Sequence, residues 1–199
     1  MKVKICGVTN PKDAELAVEA GAHYVGVIIG AKSPRLIPPE RSKEIASILP
    51  SHVKLVGVVD ARKELDLDLI LRSSVRVVQL HWASYQSYKR ALELLKPYSV
   101  SVALASPSFK DWPLERLEVE YLLVDVKDHE KKAEEVGRAR PLAKTLGIAG
   151  GLNPNNLRDV LRGVKVDMVD VSSGVEKVKG KKDPEMVRAF VSSALGLPP

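Results

Sequence analysis

Cysteine is nearly absent from this chain: its 199 residues contain one, Cys6. A single thiol excludes an intrachain disulfide and fits a reducing compartment. Aromatic residues make up 5% and are not interleaved with the basic ones, which argues against a nucleic-acid surface. No apolar run approaches the roughly 20 residues of a membrane span. The first strand pattern begins at Val3, with no apolar leader before it, so a cytoplasmic location is expected. The four histidines are scattered, and no Cys/His/carboxylate grouping has metal-ligand spacing, so no metal is expected. The glycine fingerprint of dinucleotide-binding folds is missing too: Cys6-Gly7-Val8-Thr9-Asn10 follows the first strand pattern instead of G-x-G-x-x-G.

What is present points to a folded domain. Hydrophobic residues make up 45%, too many for a disordered chain. The length is most simply one domain, residues 1–199. The net charge of +6 comes from 31 basic and 25 acidic residues, mixed along the helical patterns as in Lys131-Lys132-Ala133-Glu134-Glu135. That is a solvated surface suited to an anionic substrate, with neither nucleic acid nor membrane as partner.

Short β-rich runs recur at 3–5, 24–29, 53–59, 75–80, 100–104, 121–126, 145–148 and 168–171. Helical patterns lie between and after them, at 11–20, 39–48, 67–73, 85–95, 113–117, 133–143, 155–161 and 184–195. Strand alternating with helix predicts a parallel sheet. Eight units of about 25 residues each suit an α/β fold of the compact, single-domain (βα)8 TIM-barrel kind, with short connections. A doubly wound open sheet is the main rival.

In such a barrel, chemistry sits at the C-terminal tips of the strands. The tips carry Cys6, Arg35 within Ser33-Pro34-Arg35, Asp60, His81, Asp125, Gly150-Gly151 and Ser172-Ser173-Gly174. Cys6 reads equally as a proton-transfer group and as a small buried hydrophobe. Asp125 ends an apolar run, where burial would raise its pKa toward that of a general acid; a helix cap is the bland alternative. Gly150, Gly151, Ser172, Ser173 and Gly174 are placed to turn backbone N–H groups toward an anion, here a phosphate. Arg35 suits a carboxylate or phosphate, though a loop arginine is more often just solvated. His81 reads as a structural histidine.

Taken in order, Lys4-Ile5-Cys6-Gly7-Val8-Thr9, Ser33-Pro34-Arg35, Val78-Gln79-Leu80-His81, Leu123-Val124-Asp125, Ala149-Gly150-Gly151-Leu152-Asn153-Pro154 and Asp170-Val171-Ser172-Ser173-Gly174-Val175-Glu176 resemble the phosphoribosylanthranilate isomerase family of tryptophan biosynthesis. The resemblance implies a (βα)8 barrel and an Amadori rearrangement of a phosphorylated small-molecule substrate, N-(5-phosphoribosyl)anthranilate. It implies no cofactor, because the substrate nitrogen is the electron sink, and it is compatible with a homo-oligomer. By the same resemblance Asp125 is the general acid and Cys6 the general base. Arg35 meets the anthranilate carboxylate. Gly151, Ser172, Ser173 and Gly174 hold the phosphate, with Gly150 beside them. Two features depart from the family. The stretch after Asp125, Val126-Lys127-Asp128-His129-Glu130-Lys131-Lys132, has no glycine where the family has a glycine-rich covering loop, and Trp82 stands where the family commonly has glycine.

Overall fold

Pairing between the first and last strands of the repeat, Lys4 with Asp170 and Ile5 with Val171, closes the sheet on itself. The computed structural model describes residues 1–197, the side chain of His129 excepted; residues 198–199 of the expected domain lie outside. Eight parallel strands form the barrel: β1 (Lys2–Ile5), β2 (Tyr24–Gly30), β3 (Lys54–Asp60), β4 (Val77–His81), β5 (Ser101–Ser106), β6 (Leu122–Asp125), β7 (Leu146–Ala149) and β8 (Met168–Val171). Closure removes the open-sheet alternative and leaves no exposed barrel edge.

The helices form where the sequence supplies ends. In α1 (Pro11–Ala20), Asn10 caps the Asp13 amide at 2.9 Å, Pro11 occupies the first turn, and Gly21 stops the helix in the left-handed region. In α7 (Pro184–Leu195), Asp183 caps Glu185 and Met186. Each such cap contributes about 1 kcal/mol. Between these two lie α2 (Pro39–Ile48), α3 (Leu67–Arg72), α4 (Tyr85–Leu95), α5 (His129–Ala139) and α6 (Leu157–Gly163).

The helix expected at 113–117 does not form. Five residues opening on proline are too few to offset helix nucleation. The segment lies flat against α4 instead. Phe109, Trp112 and Leu117 are buried, and Trp112 packs on Tyr85, Tyr88 and Phe109. The Leu117 amide donates to the Leu142 carbonyl at 2.8 Å. α5 also begins four residues before the expected 133–143, because Asp128 caps the Lys131 amide. The connection from β6 is therefore only 126–128. The last helical turn tightens over Arg140–Leu142, around Pro141.

Apolar residues fill both sides of the sheet. One cluster lies between strands and helices. A smaller one, including Tyr24, Val77, Tyr121, Leu123 and Met168, fills the barrel interior. After β8, the hairpin β9 (Glu176–Val178) and β10 (Lys181–Lys182) folds back onto the start of α1. Thr9 donates to the Gly180 carbonyl at 2.6 Å, and the Lys182 amide donates to Asp13 at 3.0 Å.

Candidate active site

β1 places two polar side chains inside the closed barrel. Val3 and Ile5 face the helices, so Lys4 and Cys6 face inward, at the mouth. The Lys4 ammonium is fully buried, 2.9 Å from the Asp170 carboxylate of β8, its register partner. Burial alone would depress the Lys4 pKa. The Asp170 carboxylate, with the neighbouring Cys6 thiol, more than reverses this and raises it, so Lys4 carries its charge throughout the working pH range. Room for this group depends on Gly26 in β2. A Cβ there would stand 2.9 Å from the Cys6 sulfur and 3.1 Å from the Lys4 ammonium.

Burial pushes the Cys6 thiol above its usual pKa. Lys4 pulls it down, Asp170 pushes it back, and Lys182 pulls it down further, with burial prevailing. Asp125, at the end of β6, is also raised. Burial is again the main cause and the Asp170 carboxylate adds to it, while His81, Lys132 and Lys4 oppose them. His81 Nδ1 lies 3.7 Å from the Asp125 carboxylate. The site thus holds a carboxyl inclined to keep its proton and a thiol beside a fixed cation.

A cavity of ≈ 320 Å³ opens here, walled in part by Cys6, Gln79, His81, Asp125, Asp170 and Ser172. A larger groove of ≈ 690 Å³ lies at the other end of the barrel, around the starts of β3 and β5. Lysines, an arginine and serines line it, with no thiol or carboxylate in its wall.

Of the expected site residues, Cys6, Asp125 and Ser172 line the same cavity. Gly150, Gly151, Ser173 and Gly174 lie on the two neighbouring loops and are not among its lining residues. These loops press together: a Cβ on Gly174 would fall 1.8 Å from the Leu152 carbonyl oxygen. In the loop after β7, Asn153 Oδ1 accepts from the Asn155 and Asn156 amides while Asn156 Oδ1 accepts from the Asn153 amide. Arg35 is mostly buried rather than solvated and is not among the residues lining the cavity. Its Nε and Nη2 each donate to Glu176 at 2.6 Å, which raises its pKa further. Lys182, with its side chain fully buried, reaches the same carboxylate at 3.1 Å and the Ser172 carbonyl at 3.0 Å.

Several polar groups at the site carry no signal in the strand pattern alone. Lys4 and Asp170 alternate with valine and isoleucine, as they would if they faced solvent. Only closure turns that face into the barrel interior. Glu176 and Lys182 meet through the hairpin. Lys132 is buried, its ammonium hydrogen-bonded to the Val126, Ala149 and Gly150 carbonyls, and burial lowers its pKa to about 8. It joins the short β6–α5 connection to the loop after β7. In sequence it reads as part of a charged helix face.

A family model described as N-(5'-phosphoribosyl)anthranilate (PRA) isomerase matches residues 3–193. The chain belongs to this isomerase family. An N-(5'-phosphoribosyl)anthranilate isomerase from Trichlorobacter lovleyi is 34% identical, covering 98% of each chain. One from Thermotoga neapolitana is 35% identical, covering 99% of this chain and all of its own. A crystal structure of phosphoribosyl anthranilate isomerase in complex with reduced 1-(o-carboxyphenylamino)-1-deoxyribulose 5-phosphate is 32% identical, with a TM-score of 0.78. That match covers 99% of this chain and 100% of the other. The eight-stranded barrel is therefore the isomerase-family fold, as the ordered motifs from Cys6 to Glu176 imply. No helix among the described residues is long and apolar enough to cross a membrane.

Trp82, read from the sequence as standing where the family commonly has glycine, has an unusual backbone. It follows β4 with φ at 60°, in the left-handed region. A bulky residue there costs on the order of 1–3 kcal/mol, a cost glycine avoids.

Proposed function

We propose that the mouth of this barrel isomerises N-(5-phosphoribosyl)anthranilate to 1-(2-carboxyphenylamino)-1-deoxyribulose 5-phosphate, a step of tryptophan biosynthesis, with Asp125 as acid and Cys6 as base. Alongside membership of the isomerase family, the observation that carries the reading is that Cys6 and Asp125 line one cavity, with the Lys4–Asp170 pair beneath them. Asp125 in its protonated form donates to the furanose ring oxygen, and the C–O bond opens to a Schiff base. The Cys6 thiolate removes the proton from C2′, and the electron pair moves into the C–N system to give the enolamine. Tautomerisation places a proton on C1′ and takes one from the C2′ hydroxyl. Asp125 ends deprotonated and Cys6 protonated, and proton exchange with solvent resets the pair. Lys4 stabilises the thiolate while burial opposes it.

The test is a fluorescence assay with freshly made phosphoribosylanthranilate. Loss of the anthranilate signal at enzymatic rates is expected; the absence of turnover by folded protein overturns the reading.

Arg35 is proposed to meet the anthranilate carboxylate with donors shared with Glu176. Arg35→Ala is expected to raise KM by roughly 10–150-fold, the loss of one charge-assisted contact. Lys182 remains to compensate Glu176, so the fold should survive. An unchanged KM refutes the role.

The phosphate is proposed to sit on the loops after β7 and β8. Substituting Gly174 would force those loops apart, so it cannot test this site. Lys127 serves instead, because its Cγ lies within 3.5 Å of where a Gly151 Cβ would be. Inorganic phosphate should inhibit competitively, and Lys127→Ala should weaken that inhibition by about three- to tenfold. Equal inhibition of both proteins would move the phosphate elsewhere.

A further inference from the structure

We propose that Trp82 is a specificity-determining residue: its indole forms a wall against which the aryl ring of the substrate packs. The inference rests on the isomerase reading above and names a substrate contact for it. Trp82 lines the same cavity as Cys6 and Asp125. The residue is still 45% exposed although it stands in the catalytic mouth. The ring is also held in place. The Arg62 guanidinium lies 5.4 Å over it, and the His81 ring meets it edge-on at 5.1 Å.

Arg62 is itself fixed. Its Nε and Nη2 donate to Asp60 at 2.9 and 2.7 Å, and its backbone amide donates to the same carboxylate at 3.1 Å. The Asp60–Arg62–Trp82 stack is therefore pre-organised, which reduces what must be ordered when a ligand arrives. A partly exposed, flat apolar ring suits an aromatic ring better than a sugar. The left-handed backbone at Trp82 adds a second, independent observation: strain of this kind persists where the surroundings over-determine it, and it clusters at ligand-contacting positions.

The test uses the full chain and two competitive inhibitors: reduced carboxyphenylamino-deoxyribulose 5-phosphate, which carries the aryl ring, and ribulose 5-phosphate, which lacks it. Trp82→Gly should raise KM and the inhibition constant of the aryl compound about tenfold. The ribulose 5-phosphate constant should change less than about twofold. Trp82→Phe should restore most of the aryl affinity. Thermal stability of Trp82→Gly should not fall, because glycine relieves the backbone strain. Equal weakening of both inhibitors would make Trp82 a structural residue only. Unchanged aryl binding would also overturn the proposal. Wild-type turnover is measured first in the same assay, so a failure of the isomerase reading is separate from a failure of this contact.

Discussion

Cys6→Ala is expected to lose at least about 10²–10⁴-fold in kcat with little change in KM, since proton abstraction is felt only in the transition state. Cys6→Ser should be nearly as poor, because a hydroxyl is a far weaker base. Asp125→Asn should be severely impaired as well, because an amide cannot donate the proton that opens the ring. The pH profile gives a second reading of the same pair. Burial raises both the Asp125 and the Cys6 pKa, and the working form is thiolate plus protonated carboxyl. That form is a constant fraction between the two macroscopic pKa values. Below them kcat/KM falls as protonation of the thiol is no longer balanced by protonation of the carboxyl. Above them it falls because the carboxyl proton is lost. Cys6 is the sole thiol, so alkylation reports on it alone. The alkylation rate should climb only at a pH above the ordinary thiol range, and substrate should protect. Near wild-type turnover by Cys6→Ala would leave the thiol structural and defeat the mechanism.

The second large effect belongs to Lys4. Replacing it by methionine leaves the Asp170 side chain, 10% exposed, without its buried cation. Breaking such a pair costs on the order of 3–5 kcal/mol, enough to move a urea midpoint decisively. It should also push the Cys6 alkylation midpoint higher, because Lys4 is the strongest influence lowering that pKa. If the single variant fails to fold, Lys4→Met with Asp170→Leu keeps the question open to measurement. Removing both charges should recover much of the stability. The thiol midpoint should still lie above wild type, since Lys4 acts on Cys6 more strongly than Asp170 does. A midpoint unchanged in the double variant would show that Lys4 only supports the barrel and does not tune the thiol.

Local chemistry in the sequence was enough to determine the repeat. Strand runs such as 24–29 and 168–171 show themselves through β-branched residues. α1 and α7 show themselves through Asn10-Pro11 and Asp183-Pro184, whose side chains and rings start helices wherever the chain goes next. The ordered tips, from Cys6 through Asp125 to Ser172, follow from that repeat, while the family comes from the resemblance of the motifs around them. What needed the tertiary structure involves partners distant in sequence. Alternation in Val3-Lys4-Ile5 shows that two faces differ, but only the β1–β8 pairing turns the polar face inward and sets Lys4 on Asp170, 166 residues away. The helix expected at 113–117 is too short to nucleate by itself, and only the folded chain shows Trp112, just before it, packed on Tyr85 and Tyr88. Arg35 reads as a free loop cation until the hairpin after β8 brings Glu176 beneath it. In the sequence Trp82 stands out only as taking the place of the family's common glycine; its φ of 60° and its place under Arg62 belong to the folded chain. Periodicity and capping are written within a few residues of one another, whereas the pairing of buried charges depends on which strand tips closure brings together.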